Sequence, residues 1–261
     1  MGLATFALTG GVREAPAQRH LDEETDVATL VLVRHATTAA TGKRLGGWTP
    51  GVHLDEGGRH QAEAAAARLA PLPVAAVYAS PLERAQETAK LLAKPHGLRV
   101  RTRRDLGEVD YGDWTDRPLA QLRRRKDWQV VTATPSRMQF PGGESIRTAQ
   151  ARAVDATEKL AADHGDDTIV VVSHADIIKA VVAHHLAMAL DAFQRLVVEP
   201  ASVTIVYLPR RGHPALLRFN DTGPITAPEP ATTPPPATAP PPAKTSTRRA
   251  RRSTATRRGR A

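Results

Sequence analysis

The chain contains no cysteine. That excludes disulfides, thiolate metal ligands and a cysteine nucleophile, and it suits a reducing cytoplasm, which is the expected location. No apolar run approaches the roughly 18 to 20 residues that a membrane-spanning helix needs. The mildly apolar stretch Met1 to Gly11 lacks a basic leading segment and a cleavage pattern, so no signal peptide is expected. There is no internal repeat. Acidic residues stop at Glu229, and no aromatic side chain lies beyond it. A tail of that composition offers nothing for base stacking.

What is present suits one medium-sized domain with a full core: 261 residues, of which 41% are hydrophobic. The net charge of +9 suggests nucleic acid until it is located. Eight of the 36 basic residues (Lys244, Arg248, Arg249, Arg251, Arg252, Arg257, Arg258 and Arg260) crowd the end of the chain, leaving 28 against 27 acids elsewhere. Before them, Pro224, Pro228 and Pro230 lead into Pro234-Pro235-Pro236 and Pro240-Pro241-Pro242. Such a segment cannot pack a core and samples extended polyproline II. Residues 222–261 are therefore expected to be a disordered tail, either merely solvated or holding nucleic acid or an anionic surface through 244–261 by counterion release. Residues 1–26 read as a flexible extension or as the product of an upstream start codon. The folded domain is expected over 27–221.

Within it, strand and helix signals alternate. Strands are predicted at Thr29 to Val33, Ala75 to Ala79, Thr168 to Val172 and Ser202 to Leu208, with a partner at Ala215 to Phe219. Helical stretches fall at about 56–70, 81–94, 144–163 and 175–189. The pattern predicts an α/β three-layer sandwich, a mostly parallel central sheet flanked by helices.

Four segments carry candidate chemistry. The run Leu30-Val31-Leu32-Val33 reads as a strand buried on both faces, and it ends in Arg34-His35. That places a planar cation and a nucleophilic imidazole at the carboxyl edge of a parallel sheet, where open α/β folds bind ligands. Taken alone, the pair is an ordinary strand end. In Ser80-Pro81-Leu82-Glu83-Arg84, Ser80 and Glu83 form a capping-box pattern with Pro81 at the first helical position and Arg84 about one turn in. Val170-Val171-Val172-Ser173-His174 is a second buried strand ending in histidine, with a helix N-terminus following. The acidic stretch Asp105 to Trp114 offers a general acid and base, with Glu108, Asp110 and Asp113 as rivals on composition. His184 and His185, adjacent on a helix, read as structural or exposed.

Together these segments resemble the histidine phosphatase superfamily, the phosphoglycerate-mutase-like group. Its Arg-His-Gly-x-Thr is similar to Arg34-His35-Ala36-Thr37-Thr38, and its Leu-Thr-x-x-Gly-x-x-Gln-Ala to Leu54 through Ala62. Its Ser-Pro-Leu-x-Arg-Ala-x-x-Thr-Ala is matched from Ser80 to Ala89. Its Leu-x-Glu-x-x-aromatic-Gly-x-Trp matches Leu106 to Trp114 and selects Glu108. Pro141-Gly142-Gly143-Glu144-Ser145 stands in its usual place, and Ser173-His174-Ala175-Asp176 resembles Ser-His-Gly-Gly. The Ser-His-Ala-Asp-Ile-Ile-Lys-Ala version is similar to an actinobacterial branch described as phosphomutases. Four positions depart from the pattern: Ala36, Asp116, and the pair Ala175 and Asp176 replace glycines. A fifth, Thr41, stands where the family has a phosphate-holding asparagine, with a hydroxyl of shorter reach.

The resemblance implies a phosphatase that hydrolyses a small phosphate monoester without metal or cofactor. Arg34, Arg84 and His174 would hold the phosphate, with Thr41 and Ala175 also at the substrate. His35 would form a phosphohistidine and Glu108 would act as general acid and base. A phosphoglycerate-mutase-type phosphomutase is the alternative. The mutases carry a long covering insertion after the acid loop, whereas only Thr115 to Phe140 separates that loop from Pro141 here. This segment holds Arg117, Arg123, Arg124, Arg125, Lys126 and Arg137, which read either as contacts for an acidic substrate or, for 123–126, as the solvated side of a helix. A non-catalytic protein docking through its basic tail ranks below both. The oligomeric state is not legible in the sequence.

Overall fold

Alternate residues of each central strand serve two different cores. In β1 (Val27–Arg34), Leu30 and Leu32 face one hydrophobic cluster while Val31 and Val33 face another. β2 (Val74–Ala79) divides Ala76 and Tyr78 from Val77 and Ala79 in the same way. In β4 (Thr168–Ser173), Ile169 and Val171 are divided from Val170 and Val172. Both faces are covered, which is why these strands read as unbroken aliphatic runs rather than as alternating ones. The computed structural model describes residues 27–223. The expected extension at 1–26 lies outside the described residues, as does the tail from 224 onward with its expected nucleic-acid or anionic-surface contacts.

The six strands lie in the order β3-β2-β4-β1-β5-β6. β3 (Val100–Thr102), β2, β4 and β1 run parallel; β5 (Val203–Pro209) pairs antiparallel with β1, and β6 (Ala215–Asp221) antiparallel with β5. The sheet is therefore mostly parallel and flanked by helices, as the pattern predicts. On one face α1 (Glu56–Leu69) and α2 (Glu83–Ala93) pack through Ala62, Ala65, Ala85, Ala89 and Leu92. On the other, α5 (Ile146–His164) and α6 (Ala175–His185) pack through Ile146, Ala153, Leu160, Ile177 and Val181. No described helix is long and apolar enough to cross a membrane.

Several local expectations need correction. β3 is absent from the sequence reading because it is three residues long and mostly exposed, too short for periodicity to register. The segment after the acid loop contains two short helices, α3 (Leu119–Leu122) and α4 (Trp128–Ala133). Arg123 to Lys126 occupy the turn between them, so they are exposed but not on a helix. α2 begins at Glu83, capped by the backbone of Leu82, so Ser80 is not its side-chain cap and Arg84 sits at its second residue.

Two other helix starts carry side-chain caps. Asp55 caps α1 by accepting from the Gly58 amide at 2.7 Å, and Ser145 caps α5 by accepting from Thr148 at 3.0 Å. Gly58 is needed because α1 abuts the turn after β1: a Cβ there would lie 2.1 Å from the Thr37 carbonyl oxygen. The first turn of α1 thus presses directly on the segment that carries His35.

Candidate active site

Arg34 pairs with Ser173 in register across β1 and β4, so His35 and His174 emerge side by side from the carboxyl ends of neighbouring parallel strands. The His35 amide donates to the Ser173 carbonyl at 2.9 Å, and the two imidazole centroids lie 5.2 Å apart. Ser80, from the end of β2, joins them: its amide donates to the Val172 carbonyl, and its Oγ lies 2.8 Å from His174 Nε2. Three parallel strand ends therefore supply the floor of the site, at the edge where this architecture gathers ligands.

The His35 ring is oriented by its own strand end. Nδ1 lies 2.8 Å from the Ala36 carbonyl oxygen, which can only accept, so Nδ1 carries the hydrogen and Nε2 is left as a base. Arg84 Nε donates to that Nε2 at 3.3 Å. Burial, then Arg84 and Arg34, hold the His35 pKa well below the usual imidazole value, so the ring is neutral near pH 7. Burial also lowers His174, with Arg84 and His35 adding to it.

Arg84 is buried and Arg34 half-buried, and both guanidiniums have donors to spare. Arg34 Nη1 donates to the Val198 carbonyl at 2.6 Å, and Arg84 Nη2 to that of Gly47 at 2.8 Å. Arg34 Nε and Arg84 Nη1 are buried and donate to no protein acceptor. Buried donors seldom lack partners, and both arginines border a cavity of about 230 Å³. Its walls include His35, Thr41, Glu108, Tyr111, Ala175 and Asp176 besides the two arginines.

Glu108 is buried, and its Oε2 lies 4.0 Å from His174 Nδ1. Burial and then the Asp176 carboxylate push its pKa up to about 7, against the pull of the Val109 amide, Arg84 and Arg34. The backbone around it is stapled by Arg152 of α5, which donates to the carbonyls of Asp105, Gly107 and Glu108 at 2.8, 2.8 and 2.9 Å. Arg152 also pairs with Glu144 at 2.6 Å, and Trp48 Nε1 donates to the Glu108 carbonyl at 2.6 Å.

His35, Arg34, Arg84, Glu108, Thr41 and Ala175 thus share one cavity. His174 is fully buried and borders it only through Arg84 Nη2, at 3.4 Å, and Glu108. Thr41 Oγ1 accepts from the Thr38 amide at 2.9 Å and lies 3.1 Å from Thr38 Oγ1. If the Thr38 hydroxyl donates there, Thr41 keeps its own hydrogen for an outside acceptor. The extra methyl of Ala36 is fully buried in the core beside α1 and α2 and does not enter the cavity. Asp110 and Asp113 stay outside it, as do all six cations of the segment from Thr115 to Phe140. His184 is exposed, 3.7 Å from Glu158, and His185 is half-buried on the far end of α6.

Sequence reasoning missed Tyr111, Arg152 and the role of Ser80. Tyr111 is buried and its hydroxyl donates to Asp176 Oδ2 at 3.0 Å, while Arg152 sits in a helix with nothing local to mark it. The capping pattern at Ser80 pointed to its own helix and concealed a bond to a residue 94 positions away.

The family model for the histidine phosphatase superfamily, branch 1, matches residues 30–222. The chain belongs to this superfamily. It is 31% identical over 206 residues to the metal-independent phosphoserine phosphatase of Arabidopsis thaliana, covering 75% of this chain and 83% of that one. It is 28% identical over 197 residues to phosphoserine phosphatase 1 of Hydrogenobacter thermophilus, covering 74% and 92%. Among solved structures, a mycobacterial glucosyl-3-phosphoglycerate phosphatase superposes with a TM-score of 0.67 at 28% identity, over 75% of this chain and 99% of that one. As a histidine phosphatase, the chain has relatives whose shared chemistry is the removal of phosphate from small esters.

Proposed function

We propose that the protein hydrolyses a small phosphate monoester through a phosphohistidine at His35, using the domain of residues 27–221. The observation that carries this is the orientation of His35: Nδ1 is occupied by the Ala36 carbonyl, leaving Nε2 unprotonated beside Arg84 Nε, and the residue lines the cavity shared by Arg34, Arg84 and Glu108.

The phosphate dianion binds with Arg34 Nε and Arg84 Nη1 donating to its oxygens, and the hydroxyl of Thr41 and the amide at Ala175 border the same space. His174 backs Arg84, its Nδ1 lying 3.4 Å from Arg84 Nη2. These charges oppose the negative charge spread over the equatorial oxygens in the transition state. His35 Nε2 attacks phosphorus as the bond to the leaving oxygen breaks, and protonated Glu108 delivers its proton to that oxygen. Water then attacks the phosphohistidine. Glu108 takes the water's proton, the N–P bond breaks, and phosphate leaves.

Hydrolysis is favoured over mutase chemistry because the segment Thr115 to Phe140 is short where the mutases carry a long covering insertion. Incubation with a panel of phosphate esters, including 3-phosphoglycerate with and without its bisphosphate, separates the two. Release of free phosphate is expected. Conversion to 2-phosphoglycerate without phosphate release would overturn the hydrolase reading.

A further inference from the structure

Beyond the phosphate pocket lies a second cavity of about 260 Å³, and the two share Leu45, Tyr111, Leu119 and Asp176 as walls. The second is lined further by Trp128, Val131 and Phe140, with Thr132, Lys179 and Gln194 as polar residues besides Asp176. A leaving group attached to phosphate in the first cavity has this second one as its next space. It meets apolar carbon on most sides and one fixed carboxylate at the junction.

That carboxylate is built in place. Tyr111 Oη donates to Asp176 Oδ2 at 3.0 Å, and Lys179 Nζ donates to Oδ1 at 3.3 Å. Asp176 also lies in the first turn of α6, where the helix dipole favours an anion. Lys179 is not a free cation for a substrate carboxylate. It is tied to Asp176 and to Gln194 at 3.2 Å, its side chain is only 13% exposed, and it borders the outer cavity alone. Near the phosphate, then, the charged side chains beyond the clamp are Asp176, Glu108 and Arg44, and Arg44 is held away by its pair with Asp116 at 2.6 Å.

We infer that Asp176 is a specificity-determining residue: it selects phosphate esters whose leaving group bears hydroxyl and apolar carbon, and it rejects those with a carboxylate next to the phosphate. Each Asp176 oxygen keeps a lone pair for a substrate hydroxyl, while a substrate carboxylate there faces like charge in a confined, partly dry space. The relatives named for phosphoserine and glucosyl-3-phosphoglycerate act on carboxylate-bearing esters, so the inference sets this chain apart from them. It rests on the phosphatase reading above.

The test uses glycerol 3-phosphate and 3-phosphoglycerate, which differ at one end by a hydroxymethyl group against a carboxylate. The wild-type full chain is expected to favour glycerol 3-phosphate in kcat/KM by about tenfold or more, and Asp176→Asn to shrink that ratio by a similar factor, within what one close interaction supplies. Asp176→Ser, which removes the carboxylate with less bulk, is expected to move the ratio the same way. Hydrolysis of both esters with a ratio that neither variant changes would overturn the assignment of Asp176 and leave the phosphatase reading standing. No phosphate release from any ester by the wild type would overturn both.

Discussion

Ser80 Oγ and His174 Nε2 lie 2.8 Å apart, joining the turn after β2 to the residue that opens α6. Arg84 Nη2, which can only donate, lies 3.4 Å from Nδ1, so the ring hydrogen sits on Nε2 and is donated to Ser80 Oγ. Ser80 thereby acts as a positioning residue for the His174 tautomer. Ser80→Ala is expected to lower kcat by about tenfold with little change in KM, since a buried ring nitrogen loses its partner without touching substrate. Nitrogen NMR of the His174 ring checks it: without Ser80 the hydrogen should move from Nε2 toward Nδ1. A ring unchanged in the variant would contradict the positioning role.

Glu108 must be protonated when the leaving oxygen departs, and its pKa stands at about 7 instead of the ordinary 4.5. Activity is therefore expected to fall as pH rises through about 7. The groups around it are Asp176, which raises the value, and Arg84 and Arg34, which lower it. Asp176→Asn should accordingly move the alkaline limb to lower pH. Glu108→Gln should abolish the limb along with most activity toward esters with poor leaving groups. Both are read from pH–rate profiles.

The same shift predicts a stability effect. A carboxyl whose folded pKa lies above its unfolded value stabilises the fold most below the unfolded pKa, and that contribution is lost as pH climbs through the folded one. Between about 4.5 and 7, Glu108 therefore lowers stability as pH rises. Denaturation midpoints of wild type and Glu108→Gln, compared across that window, should diverge in favour of the variant at the upper end.

Arg152 holds three consecutive stretches of the acid loop by their carbonyls and pairs with Glu144. Arg152→Leu leaves these acceptors and the Glu144 carboxylate without their cation, a loss of about 2–4 kcal/mol in stability. Because the loop carries Glu108, the alkaline limb should also broaden or shift. A denaturant midpoint equal to that of the wild type would contradict the stapling role.

Much of this fold is legible because its physics is local. Leu30 to Val33 and Ile169 to Val172 are covered on both faces, so composition alone marks them as central strands, and the residue that ends each lies at the sheet's carboxyl edge. The motif residues followed directly. What escaped was non-local or short: β3 with three residues, the helices of four and six residues around Arg123 to Lys126, and Arg152, whose carbonyl partners lie 44 to 47 residues away. Ser80 escaped for another reason. Its sequence context satisfied one rule for serine while the tertiary structure added another: its Oγ accepts from the Leu82 amide at 3.3 Å and also meets His174 Nε2 at 2.8 Å. Asp176 was visible as a departure from glycine, but its effect needs Tyr111 and Lys179 in space.

The central claim is that His35 Nε2 takes the phosphoryl group, and trapping that intermediate tests it most directly. The protein is mixed with a phosphate ester, quenched in alkali, and mapped by mass spectrometry and phosphorus NMR. The account predicts one phosphoryl group per chain, linked through Nε2 of His35, accumulating in Glu108→Gln with an activated ester and absent from His35→Ala. Turnover by His35→Ala near the wild-type rate, or phosphate bound to any other residue, would contradict it.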